Sequence, residues 1–198
     1  MLWSIPSPST LEDIQVILFY LSQLSFTCLL DVVMGVVITK DDKINDDLRF
    51  VQNGFGSVPA PFDCYMALRG VRTLHVRQEA SGTSALRIAT HLENHDMVEK
   101  VIYPGLPSHP QYDLATEQQH GYGSMITFYI KGDREDAAVF LSKLHLFILA
   151  ESLGSVESLA ESPSIMTHAS VPPDQREILG EKVVTFLFCC WFVQVDLL

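Results

Sequence analysis

Basic residues are scarce in this chain of 198 residues. Lysine and arginine together number 13, against 24 aspartates and glutamates, and the formal net charge is -11. Nucleic-acid phosphates and anionic lipid surfaces are bound by clustered lysine and arginine, and the chain has no such cluster. We therefore expect no nucleic-acid partner and no attachment to an anionic membrane surface.

Cysteine is also sparse, and its spacing argues against several kinds of site. The four cysteines are Cys28, Cys64, Cys189 and Cys190, and none of them forms a CxxC pair. Disulfide frameworks and cysteine-rich zinc sites need regularly paired cysteines. We interpret the four as reduced thiols of a cytoplasmic protein, with Cys64 packed in the core of a helical region.

Hydrophobic runs long enough to cross a bilayer are missing as well. The apolar run at residues 14–30 contains two glutamines, and the run at residues 183–193 is shorter still. A spanning helix needs about 20 apolar residues. The first ten residues also lack the basic region and cleavage site of a secretory signal. We therefore expect no membrane partner; a fragment anchored through these two apolar ends is the alternative.

The sequence also contains few patterns that could bind a metal. His91 and His95 are four residues apart, which places them on one face of a helix, but no third ligand is near them in the sequence. The HExxH motif is absent, and so are the Gly-x-Ser-x-Gly and phosphate-loop motifs. We expect no metal site.

The hydrophobic pattern that is present predicts a mixed α/β fold. Hydrophobic residues make up 47% of the chain, which is enough for a sizeable core. The β-branched run DVVMGVVIT at residues 31–39 predicts a buried strand of a mostly parallel sheet. Helices are predicted at residues 11–30, at 41–50 with Ile44 and Leu48 inward, and over 62–95, with a loop at 53–61.

Strands and helices alternate in the rest of the chain. The pattern predicts strands at residues 98–103, 125–130 and 147–150, with helices at residues 112–118 and 134–144. Such an alternation is typical of a sheet with helices on one face.

Five sequence blocks point to a known family. VPAPFDCYMALRG occupies residues 58–70 and is preceded by DVVMGVV at residues 31–37. It is followed by VEKVIYPGLPSHPQ at 98–111, LAESLGSVESL at 149–159 and IMTHASVPPDQRE at 165–177. In this order the blocks resemble the pyridoxal-phosphate enzymes of cysteine and methionine metabolism, most closely the cystathionine γ-lyase branch, over residues 31–180.

The resemblance implies a domain organisation. We expect an α/β fragment of a fold-type I pyridoxal-phosphate transferase. It would consist of a remnant of the large cofactor domain at residues 31–79 and the smaller C-terminal α/β domain at residues 80–180, with a boundary near Glu79. Residues 1–30 and the apolar tail at 181–198 do not resemble the family. We expect both ends to lack packing partners and to promote association.

The resemblance also implies which site residues are present. Glu151 and Ser152 match the family's Glu-Ser-Leu-Gly motif, in which the serine helps to hold the substrate carboxylate, so we assign both to substrate binding. The partner arginine of that carboxylate would fall at Leu187. A bidentate guanidinium is the natural clamp for a carboxylate, and leucine cannot replace it.

The catalytic and cofactor-binding residues of the family have no counterparts. Its Schiff-base lysine lies seven residues before the aspartate of DVVMG, which is position Leu24 here. Lys40 follows a threonine, but it lies on the other side of this block and beside two aspartates, so we interpret it as a solvated lysine. We assign no catalytic, cofactor-binding or metal residue, and we expect no covalent binding of pyridoxal phosphate by this chain.

Two functional hypotheses follow from the resemblance. In the first, the parent protein is a lyase that takes a small amino acid, cystathionine, and forms cysteine, 2-oxobutanoate and ammonia. In the second, the chain is a non-catalytic splice fragment that associates with full-length subunits, because family members are homo-tetramers. Relatives such as cystathionine γ-synthase and methionine γ-lyase carry the same blocks and are further alternatives.

Overall fold

The computed structural model describes residues 16–19, 32, 36–150, 157–178 and 184–190. The chain divides into two compact units, Met1–Arg72 and Thr73–Leu198. The boundary expected near Glu79 falls inside a helix of the second unit, α3 at Leu74–Glu93. Within the described part of the chain, no helix is long and apolar enough to cross a membrane.

In the described part of unit 1, the first element is a two-stranded antiparallel sheet. Strand β1 at Val16–Phe19 pairs with strand β2 at Val36–Thr39, so that Val16 lies opposite Thr39. The helix predicted over residues 11–30 is therefore wrong at residues 16–19, and the rest of that range lies outside the described residues. A short apolar run fits either a helix or a strand, and its pairing partner decides between them.

The surroundings of strand β2 also differ from the prediction. The sequence predicts a buried strand of a mostly parallel sheet, whereas β2 pairs antiparallel and Val37 is exposed. A continuous β-branched run favours a strand, but it does not specify the direction of the neighbouring strand or what covers its faces.

Helix α1 at Asp42–Phe55 is well capped and buries no residue. The Asp41 carboxylate accepts the Ile44 N–H at 2.9 Å, and Gly56 ends the helix with a φ of +68°. Ile44 is half-buried and Leu48 is exposed, so the prediction that both point inward is wrong for Leu48. The amphipathic pattern predicts a helix correctly, but it does not guarantee that the apolar face is covered.

Helix α2 at Pro61–Val71 completes unit 1 and begins with proline, which suits the first turn of a helix. Cys64 is exposed on this helix, so the prediction that its thiol packs in a core is wrong. The short helix follows the loop that the glycines and prolines of residues 53–61 predict, although α1 extends to Phe55.

A five-stranded mixed sheet forms the centre of unit 2. Its strands are β3 at Val98–Ile102, β4 at Met125–Ile130, β5 at Ile148–Leu149, β6 at Leu159–Glu161 and β7 at Thr185–Cys189. They are arranged in the order β3-β4-β7-β6-β5, and every pair is antiparallel except the parallel pair β5–β6. The unit also contains α4 at Tyr112–Gln118, α5 at Arg134–Lys143 and α6 at Pro173–Ile178.

Helices α3 and α5 pack on one face of this sheet. Ile88 of α3 and Phe140 of α5 belong to the same hydrophobic cluster as Phe128 of β4 and Phe186 of β7. The Phe140 ring meets Phe128 edge-on at 5.9 Å and Phe186 at 5.0 Å between centroids. The predicted alternation of strands and helices is confirmed here, and α3 and α5 share one face of the sheet.

Strand β7 overturns the expectation for the apolar tail. Its residues were expected to lack packing partners, but β7 lies between β4 and β6, and Phe186 and Phe188 are 0% and 3% exposed. Its pairing partners lie roughly 25 to 65 residues earlier in the chain. The sequence near β7 therefore shows no pairing partner for this apolar run, because the strands that pair with it are distant in the chain. Residues 191–198 lie outside the described residues.

Candidate substrate-binding site

The two predicted substrate-binding residues, Glu151 and Ser152, lie outside the described residues. The residues just before and after them are held by the parallel strands β5 and β6. The Ile148 N–H donates to the Ser158 carbonyl at 2.9 Å, and the Ala150 N–H donates to the Ala160 carbonyl at 3.2 Å. The backbone therefore enters this segment at the β5 edge of the sheet.

Strand β7 carries the position at which the resemblance expects an arginine. Leu187 is half-buried there, opposite Thr127 of β4 and Glu161 of β6. Directly opposed residues of antiparallel strands project on the same face, so Leu187 is a cross-strand neighbour of the buried Glu161. This position offers an alkyl side chain next to the side chain of Glu161, and it cannot clamp a substrate carboxylate.

A buried polar cluster follows strand β6, and sequence reasoning missed it. Ser162 and Ser164 are buried with their hydroxyl oxygens 3.5 Å apart. Arg176 of α6 donates from Nη1 to the Ser164 carbonyl at 2.6 Å. The last arginine of the chain is therefore bonded to backbone, and it ties α6 to the segment after β6. A Ser-Pro-Ser sequence could indicate a turn here, but no local signal points to the distant arginine.

The lysines that the structure describes do not fit a covalently bound pyridoxal phosphate. All lysines of the described part of the chain are exposed, namely Lys40, Lys43, Lys100, Lys131 and Lys143. A Schiff-base lysine is activated by a desolvated pocket or a neighbouring cation, which lets its amine lose its proton near neutral pH. None of these lysines has the buried setting that such an amine requires. Lys40, interpreted above as a solvated lysine, lies in solvent after β2.

Among the described residues, burial shifts the pKa values of two thiols and a phenol. Burial raises the pKa of Cys189 and Cys190, and it raises the pKa of Tyr103 as well. The Tyr103 hydroxyl donates to the Gly123 carbonyl at 2.9 Å. Because a thiolate is the reactive form of cysteine, these two protonated thiols are poor nucleophiles near neutral pH.

The histidine pair gives no metal centre. The rings of His91 and His95 are 6.0 Å apart between centroids. Over the described residues, no group of three histidine, cysteine, aspartate or glutamate side chains is placed to hold a metal ion. His95 Nδ1 instead accepts the Met97 N–H at 3.1 Å, a local turn contact.

Comparison with known proteins decides the family. A family model described as Cys/Met metabolism PLP-dependent enzyme matches residues 29–186. The chain belongs to this family. Its enzymes depend on pyridoxal phosphate, so the resemblance carried by the five blocks is confirmed. The match reaches residue 186, inside β7, whereas the resemblance in the sequence extends to residue 180.

Individual relatives place the chain near the cystathionine γ-lyases of this family. It is 55% identical over 150 residues to cystathionine gamma-lyase of Dictyostelium discoideum, and 54% identical over 150 residues to that of Homo sapiens. These alignments cover 76% of this chain but 39% and 37% of the two relatives. The chain thus spans well under half the length of these relatives.

Solved structures confirm the fold assignment. Cystathionine gamma-lyase from yeast superposes with a TM-score of 0.84 at 39% identity, and cystathionine gamma synthase from Xanthomonas oryzae pv. oryzae with 0.82 at 35%. Each superposition covers 88% of this chain and 45% of the other. The prediction of an α/β fragment of a pyridoxal-phosphate enzyme fold is therefore confirmed.

Proposed function

We propose that this chain is part of a pyridoxal-phosphate-dependent carbon–sulfur lyase. The whole protein would cleave cystathionine, with uptake of water, to cysteine, 2-oxobutanoate and ammonia, and would do so in the cytoplasm. The observation that supports this most is the 55% identity to the Dictyostelium lyase over 150 residues. The Glu151–Ser152 motif would contribute to the substrate site.

We further propose that the chain alone does not catalyse this reaction. Two observations support this part. Every lysine in the described part of the chain is exposed, and Leu187 occupies the position expected for the carboxylate-binding arginine. The cofactor provides the electron sink for chemistry at the substrate's α-carbon, so a chain that cannot hold it in place has no route to carbon–sulfur cleavage.

Association with full-length subunits is the role that the exposed surface of unit 1 favours. Phe50, Phe55 and Phe62 are 79%, 83% and 69% exposed, and Tyr65 and Leu68 of α2 are also exposed. Exposed apolar surface of this extent typically marks an interaction surface. A subunit of a complete relative is the natural partner, because it contains the parts of the family fold that this chain lacks.

The first experiment tests catalysis. Purified chain is incubated with pyridoxal phosphate, reduced with borohydride and digested for mass spectrometry, and cystathionine cleavage is assayed in parallel. We expect no single labelled lysine and no 2-oxobutanoate, whereas the human relative treated in the same way should give both. Stoichiometric labelling of one lysine together with turnover would contradict the proposal. In the complete protein, net formation of cystathionine would favour a γ-synthase, and cleavage of methionine a methionine γ-lyase.

The second experiment tests association. Tagged chain and untagged full-length human relative are co-expressed, and the tagged chain is purified. We expect the relative to co-purify, and we expect the double variant Phe50→Asp and Phe55→Asp to lose it. Lys100→Glu is a control with a comparable change of surface charge in unit 2 and should retain the relative. Equal recovery with all three forms would show that this surface does not mediate association.

A further inference from the structure

A pocket of about 560 Å³ lies between helices α3 and α5 and the sheet of unit 2. Ile88, Phe128 and Phe188 line its buried part, and half-buried Leu92 and Phe140 form its sides. The volume is within the range of roughly 300–1,000 Å³ that is typical of small-molecule sites, and the lining is predominantly apolar as in such sites.

The pocket lies apart from Leu187 and from the polar cluster that follows β6. Side chains alternate between the two faces of a strand, so Phe188 and Leu187 of β7 project in opposite directions. Phe188 lines the pocket, whereas Leu187 is the neighbour of Glu161. No residue of the polar cluster after β6 lines the pocket. The pocket therefore lies on the opposite face of the sheet from Leu187.

The exposed part of the pocket carries two lysines, although the chain as a whole is acidic. Three histidines and two lysines line it, namely His91, His95, His145, Lys131 and Lys143. The one acidic lining residue, Asp136, already accepts the Asp133 N–H at 3.0 Å in the capping box of α5. Among the described residues, the Lys143 ammonium has no hydrogen-bond or ion-pair partner. A chain with a net charge of -11 thus presents two lysine ammonium groups beside an apolar cavity.

We propose that this pocket binds a free, single-chain amphipathic anion, a long-chain carboxylate. The alkyl chain lies against Phe128, Phe140 and Phe188, and the carboxylate accepts a charge-assisted hydrogen bond from Lys143. Charge complementarity selects an anionic head group over a cationic one. The buried, concave floor selects a single alkyl chain, because a bilayer surface cannot enter it.

The test uses dodecanoate below its micelle concentration and the full chain in reducing buffer. Calorimetry should show saturable binding of one dodecanoate per chain. Lys143→Glu should weaken the affinity at least tenfold, because it replaces the attracting ammonium with a carboxylate. Lys100→Glu makes the same charge change on an exposed residue of β3 that does not line the pocket, and it should stay within twofold of the wild type. Equal affinity for wild type and Lys143→Glu would overturn the proposal.

Further measurements distinguish a long-chain carboxylate from other possible occupants of the pocket. Dodecyltrimethylammonium should bind at least tenfold more weakly, and binding as tight as that of dodecanoate would overturn the role of charge. Sedimentation with phosphatidylserine vesicles, without binding of dodecanoate, would assign the surface to a bilayer. Binding of dodecanoate only after Phe192→Asp would assign the pocket to the chain's own residues 191–198. A dimer that Val139→Asp dissociates and dodecanoate does not affect would assign it to a second copy.

Discussion

Helices α1 and α3 are stabilised in opposite ways. Helix α1 has a side-chain cap at Asp41 and a glycine C-cap at Gly56, yet it buries no residue. Helix α3 has no side-chain hydrogen bond at its N-cap, yet it buries five residues, namely Ser81, Ser84, Ala85, Ile88 and Ala89. Caps define where a helix begins and ends, whereas most of its stability in a protein comes from packing. Unit 2 should therefore tolerate substitution much less well than unit 1.

Matched phenylalanine truncations should give the largest difference between the units. Phe186→Ala removes a fully buried ring of β7 that stacks on Phe128 at 5.4 Å between centroids. We expect it to lower the free energy of unfolding by about 3–5 kcal/mol. Phe55→Ala removes an exposed ring of α1, and we expect a change within about 0.5 kcal/mol. Urea unfolding followed by circular dichroism measures both.

The same pair of variants tests the placement of β7. If β7 were an unpartnered apolar tail, Phe186→Ala would be neutral and would improve solubility. Comparable, small effects of Phe186→Ala and Phe55→Ala would contradict the central position of β7 in the sheet.

Matched glycine substitutions should differ in sign. A Cβ at Gly105 would lie 2.7 Å from ring carbons of both Tyr103 and Tyr122, so Gly105→Ala forces these rings to move. We expect a cost of about 1–3 kcal/mol. Nothing lies within 4 Å of a Cβ at Gly54 in α1, and alanine is the better helix former, so Gly54→Ala should stabilise its helix by about 0.5–1 kcal/mol.

Thermal unfolding and amide hydrogen exchange check this pair. Gly105→Ala should lower the melting temperature of unit 2, and Gly54→Ala should slow exchange of the α1 amides alone. A neutral Gly105→Ala would show that the tyrosine rings around this turn are loosely packed.

The sequence predicts the elements of unit 2 better than their surroundings. Strand β4 and helix α4 have the predicted bounds, and α5 ends one residue early. Alternating burial along β4 and an aspartate N-cap for α5 are local signals, and they agree with the fold. Strand β1, the central place of β7 and the exposure of Cys64 were missed, because each depends on segments that are distant in the sequence or on what covers a face.

For the candidate site, too, some features can be predicted from the sequence and others cannot. The absence of a lysine at Leu24 and of an arginine at Leu187 can be read directly from the sequence once the family blocks are aligned. That Glu161 is the neighbour of Leu187 cannot be predicted from the sequence, because only the register of β6 and β7 places the two residues opposite each other. The bond from Arg176 to the Ser164 carbonyl likewise joins residues of separate elements, which no local pattern specifies.

Matched tyrosine substitutions should give the smallest effect at neutral pH and a clear effect at alkaline pH. Burial, with smaller contributions from Cys190 and Tyr122, raises the pKa of Tyr103 above the value near 10 of an unfolded tyrosine. Between these two pKa values the unfolded state has lost a proton that the folded state keeps. The contribution of the protonated Tyr103 phenol to the free energy of unfolding is therefore complete below about pH 10, and it is lost progressively as the pH rises further.

Tyr103→Phe removes this titration together with the hydrogen bond to Gly123. We expect it to cost about 1 kcal/mol at pH 7 and to decline less steeply than the wild type above pH 10. Some decline should remain, because burial also raises the pKa of Cys190, whose unfolded thiol ionises near pH 9. Tyr65→Phe, at an exposed position of α2, is the control and should follow the wild type throughout. Urea midpoints from pH 7 to 11 in reducing buffer measure this difference. Parallel curves for Tyr103→Phe and the wild type would show that the buried phenol does not set the alkaline stability of unit 2.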